Sequence, residues 1–69
     1  MSVYRVTEII GTSPTSWQDA AKEAVAAAAK SLRDLRVAEV VEFDLSLGDN
    51  GQIETYRTKL RVSFKYEQE

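Results

Sequence analysis

The chain has no cysteine and no histidine, one proline, one tryptophan and three glycines in 69 residues. Without cysteine it forms no disulfide and offers no thiolate to a metal. Without histidine it lacks the usual zinc ligand and the usual general base near neutral pH. No apolar run approaches the roughly 20 residues that a membrane span needs. The N-terminal MSVYRVTEII carries Arg5 and Glu8 inside a strand-like segment, unlike the uninterrupted apolar region of a signal peptide. A cytoplasmic protein without membrane contacts is the default expectation. An excess of basic charge is also missing. Nine Lys and Arg against eleven Asp and Glu give a net charge of −2, so no general attraction to nucleic acid is expected.

Length sets the next bound. Residues 1–69 suffice for one domain. A chain of this size buries only roughly 60% of the surface that it exposes when unfolded. Its core alone supplies about 3–5 kcal/mol, and small domains add disulfides, a metal or partner subunits. With cysteine absent, self-association or a hard cation held by oxygens is what remains.

What is present reads as strand, helix, strand, strand. VYRVTEII, residues 3–10, is rich in β-branched residues and is a strand that Gly11 ends. Pro14 and the Ser16–Asp19 pair mark a helix start, with Asp in place of the usual Glu or Gln of a capping box. The helix is expected over about 15–34. Its apolar line is Trp17, Ala21, Ala24, Ala28, Leu32 and Leu35. That line is mostly alanine, which favours helix but carries little apolar area, so something must approach closely to exclude water. VAEVVEFDLSL, 37–47, is the second strand. GDNG, 48–51, is a hairpin turn, and 52–66 is the third strand. The expected class is α+β: β-α-β-β, a three-stranded antiparallel sheet partly wrapping one helix. The tail EQE, 67–69, is expected to fray.

The third strand poses a question of charge. In TYRTKLRVSFKY, Tyr56, Thr58, Leu60, Val62, Phe64 and Tyr66 share one parity; Arg57, Lys59, Arg61, Ser63 and Lys65 share the other. A regular hairpin about residues 49–51 sets Glu42 and Asp44 on the face of Arg57, Lys59 and Arg61. Charge matching within the hairpin is one reading. A polar surface that binds something, or that docks an acidic partner chain, is another. Asp49-Asn50-Gly51 lacks the remaining ligands of a calcium loop and reads as a turn. Thr12 and Ser13 read as capping groups, and Trp17 as packing. Catalysis has no residue pair to support it.

VYRVTEIIGTSPTSWQDAA, the alanine-rich helix and TYRTKLRVSFKY after GDNG together resemble the dodecin family over nearly the whole chain. The resemblance implies a non-enzymatic storage protein of twelve identical subunits, closed as a hollow shell with 23 symmetry around small ligands. Flavin-binding dodecins stack the flavin ring on a tryptophan near the start of the second strand, where this chain has Val37. They hydrogen-bond it with a glutamine in the third strand, where this chain has Arg57. Losing a ring stack of about 1–3 kcal/mol weakens binding by roughly one to two decades. SPTSWQDAA, RVAEVVE and YRTKLRVSFK resemble a branch without that tryptophan, described as calcium-binding. Calcium takes oxygen ligands, and Glu42 and Asp44, roughly 7 Å apart on one strand face, are candidates, with Glu8 as a third. The alternative cargo is riboflavin or FMN, with Arg57 on a phosphate and Tyr56 or Phe43 as the stacking ring. A regular hairpin puts Val37 and Arg57 on opposite faces. A bulge, a strongly coiled sheet or contributions from different subunits would reconcile them.

Overall fold

The computed structural model describes residues 1–66; the tail predicted to fray lies outside the described residues. The elements are β1 (Tyr4–Ser13), α1 (Trp17–Ser31), β2 (Leu35–Leu47) and β3 (Ile53–Lys65). The sheet is antiparallel in the order β1-β3-β2. The expected β-α-β-β fold is the one found, with α1 packed on β1 and β3 and barely touching β2.

Gly11 does not end the first strand. β1 continues to Ser13, and Gly11 pairs with Thr58. Gly11 is buried, and a Cβ there would run into the Ala20 carbonyl oxygen and sit 2.9 Å from the Ala24 methyl. Glycine is used here for close approach of helix to strand, and not as a terminator. The same contact turns the helix. Its buried line is Ala20, Ala24 and Ala28, while Ala21 is half-buried. The alanines let the helix backbone come close to the sheet, as their size required.

At the helix start, the Ser16 hydroxyl accepts from the Asp19 amide at 3.0 Å, as the capping pattern predicts. The return arm goes elsewhere: Asp19 Oδ2 accepts from the Thr15 hydroxyl at 2.6 Å. Thr58, fully buried, donates from its hydroxyl to the Trp17 carbonyl at 2.9 Å, tying the first turn to the central strand. The helix stops at Ser31, short of the expected 34. Leu32 adopts extended geometry, Asp34 takes a left-handed φ of 57°, and Leu32 and Leu35 fold onto Leu60 and Val62.

The pairing of β2 with β3 is regular from Glu42 to Ser46 and slips on both sides of that run, on the turn side between Ser46 and Leu47. Asp44 pairs with Arg57, and Glu42 with Lys59. Between Val40 and Glu42 the register slips by one, so that Val40 pairs with Leu60, Glu39 with Arg61 and Val37 with Ser63. Val41 is the extra residue of a bulge, so Val37 to Val40 change face, until a second irregularity between Leu35 and Val37 returns Leu35 to the core side.

The core is thin, as the length predicted. The fully buried large side chains are Leu60, Val62 and Thr58. Val40, Phe43, Leu47 and Ile53 remain exposed. The radius of gyration is 14.2 Å, where a compact chain of this length has about 11 Å. The long β2–β3 hairpin extends beyond the helix and accounts for the 53 Å long axis.

Candidate functional site: the charged face of the sheet

Because Thr58, Leu60 and Val62 turn inward under α1, the odd-numbered residues of β3 face away from the helix. Strand register extends them into four rows across the sheet: Thr12–Arg57–Asp44, Ile10–Lys59–Glu42, Glu8–Arg61–Glu39 and Val6–Ser63–Val37. The bulge at Val41 is what brings Val37 onto the face of Arg57. It removes the conflict that a regular hairpin posed between those two positions, with no second chain required. It also delivers Glu39, an acid that the parity of a regular hairpin assigns to the opposite face. A bulge leaves little trace in sequence, so period-two reading missed this residue.

Most of the charges in these rows are paired. Arg57 Nε donates to Asp44 Oδ1 at 2.7 Å, and Nη2 to Oδ2 at 3.4 Å. Arg61 donates to Glu8 Oε2 from Nη2 at 2.9 Å and from Nε at 3.2 Å, and reaches Glu39 Oε1 at 3.4 Å. Lys59 Nζ lies 3.6 Å from Glu8 Oε1, an ion pair too long for a hydrogen bond. Glu42 makes no ion pair among the described residues, although it faces Lys59 across the register. The hydrogen bonds from Arg61, with the charge of Lys59 beside them, hold the Glu8 carboxyl below the usual carboxylate range. Asp44 raises Arg57, and Glu8 followed by Glu39 raises Arg61, so both guanidinium groups stay charged.

The predicted site residues are thus on one face, but they are not one cluster. Glu8 is shared by Arg61 and Lys59, Asp44 is taken by Arg57, and only Glu42 is open. Among the described residues no three Asp or Glu side chains converge as a metal ion requires. Glu8 and Glu42 flank Lys59 and offer four carboxylate oxygens, fewer than the six to eight that calcium takes. One chain supplies part of a cation site, and water or another copy would have to supply the rest.

Val37 is 60% exposed, beside the small Ser63 and the exposed Val6. It presents no ring for stacking. Tyr56 and Phe43 point to the opposite face, where both pack on Trp17 at centroid distances of 5.2 and 5.4 Å. The Trp17 indole N–H donates to the Asp44 carbonyl at 3.1 Å, so the tryptophan anchors the hairpin to the helix, the packing role its position suggested.

The fold defines a small α+β protein: one helix on a three-stranded antiparallel sheet, with a thin core and an ion-paired outer face. The family model for dodecin matches residues 3–67, and the chain belongs to the dodecin family. It is 60% identical over 65 residues to the calcium dodecin of Mycobacterium tuberculosis, covering 94% of this chain and 90% of that protein. The crystal structure of that calcium dodecin, described as having a novel calcium-binding site, superposes with a TM-score of 0.85 over 96% of this chain and 93% of that one. Dodecin from Streptomyces davaonensis, 36% identical, superposes at 0.88 with 97% of both chains covered.

Proposed function

We propose that the protein is a non-enzymatic, cytoplasmic dodecin that closes as a twelve-subunit shell and sequesters calcium. The observation that carries this reading is the 60% identity, over nearly the whole chain, to a calcium dodecin. The site is consistent with it in two ways. Position 37 is valine and offers a flavin no stacking surface. The sheet face carries four carboxylates, of which Glu8, Glu42 and Asp44 are the candidate ligands, completed by oxygens from neighbouring copies. Identical sites repeated by symmetry give capacity at modest affinity, which suits storage rather than turnover. Calorimetric titration with calcium chloride tests the reading. Heat of binding and a raised melting temperature at millimolar calcium are expected, and the absence of both would remove it.

The flavin reading rests on the likeness to dodecins whose sequence identity is near 36%. It requires Arg57 to leave Asp44, and a ring other than Tyr56 or Phe43, which face away. Riboflavin mixed with the protein is expected to keep its fluorescence. Quenching would favour a flavin store instead.

A further inference from the structure

We propose that the outer end of the β2–β3 hairpin of one subunit seats in the groove between α1 and β2 of a second copy of this chain. The inference rests on the reading that the protein closes as a shell of identical subunits, and it names the two surfaces that meet. One helix has to cover three strands. It packs on β1 and β3 and barely touches β2, so the helix side of β2 lies bare. The groove left there is lined by Ala21, Val25, Ala26, Ala38 and Val40 beside the buried Leu60, and its volume is about 410 Å³. A further stretch of about 190 Å³ continues past Val25 and Ala38 to Arg36.

The hairpin end is the counterpart of this groove in shape and in charge. Leu47 and Ile53 pair across it and are 58% and 50% exposed, an apolar knob that no helix covers. Residues 45–56 hold Asp49 and Glu54 and no lysine or arginine. The groove lining holds Lys22 and Arg36 and no acid. All four charged residues are exposed, and none forms an ion pair among the described residues. A knob in a groove removes both apolar surfaces from water, and an acidic rim against a basic one sets the orientation. A chain cannot fill its own groove. Ile53 lies seven residues along β3 from Leu60, about 23 Å away. The occupant is therefore another chain, and each copy offers both surfaces. A contact between unlike surfaces repeats from copy to copy until the ring closes, which covers every knob and every groove.

The test uses the absence of natural cysteine. Val25→Cys and Leu47→Cys are introduced together, and the full chain is oxidised after its assembly size has been checked. Ala21→Cys with Ile53→Cys is a second pair, because a disulfide forms only where Cα atoms come within about 7 Å. At least one pair is expected to give reducible links between chains on a denaturing gel, and each single-cysteine variant is expected to give none. In a separate variant, Leu47→Lys, the folded chain loses nothing buried, so its far-ultraviolet circular dichroism is expected to match wild type. Its assembly is expected to need at least about tenfold more protein, the equivalent of one leucine left in water. An assembled protein in which neither pair links, or in which a single cysteine links as well as its pair, would overturn the proposal and leave the shell reading intact. Leu47→Lys that assembles like wild type would also overturn it. Wild type that stays a single chain would dismiss the shell and this contact together.

Discussion

At the scale of single residues, Gly11 and Glu8 carry separate consequences. Gly11 is where the helix backbone meets the first strand. Gly11→Ala puts a methyl group against the Ala20 carbonyl, which is backbone and cannot turn aside. Overpacking of this kind costs about 1–3 kcal/mol, so a lower urea midpoint with an unchanged slope is expected. Glu8 acts through pH. Its carboxyl is held below the usual range by Arg61 and Lys59, so the folded state binds the proton less readily than the unfolded chain. The stability this contributes is present above the ordinary glutamate pKa and is lost as pH falls through the depressed value. Melting temperatures measured as pH falls through and below the ordinary carboxylate range are expected to drop more steeply for wild type than for Glu8→Gln, which has no proton to take up. Equal slopes would mean that the Glu8–Arg61 pair is too well solvated to matter.

At the scale of elements, the helix start and the bulge decide the architecture. Ser16→Ala removes the acceptor for the Asp19 amide and is expected to cost about 1 kcal/mol in chemical unfolding. Thr58→Val leaves the Trp17 carbonyl without its buried donor, and a loss of about 1–3 kcal/mol is expected. Trp17 fluorescence reports whether the first turn has loosened. The existence and order of the elements were legible in periodicity: the alternation in β3, the alanine line of α1 and the GDNG turn each indicated one segment. The helix face was legible only in part. Ala20 lay outside the best apolar line and became its most buried member, because Gly11 accepts the helix at that point. The bulge at Val41 could not be read at all. A slip of one residue is invisible where both parities of β2 hold apolar side chains, as Val40 and Val41 do.

At the scale of the whole molecule, the chain is too extended and too thinly cored to be expected as a stable monomer. Val40, Phe43, Leu47 and Ile53 are exposed, and the apolar groove between α1 and β2 is lined by Ala21, Val25, Ala38 and Val40. Surfaces of this kind mark association. Light scattering at micromolar concentration in chelator is expected to find a species twelve times the 7.7 kDa chain mass. A folded monomer under those conditions would contradict the assembly. The two edge strands, β1 and β2, likewise gain cover from neighbours in a closed assembly.

The sequence by itself determined the class and order of the elements, the poverty of the interior and the family. These follow from side-chain periodicity, from length and from residues quoted along nearly the whole chain. Tertiary structure decided which side chains share a face. The slip at Val41 carries Val37 and Glu39 to the side of Arg57 and Arg61, and Glu8 and Glu42 come to flank the strand of Lys59 only because β3 lies between β1 and β2. Strand order and register depend on how the sheet curves over the helix, and no pattern along a single strand encodes that.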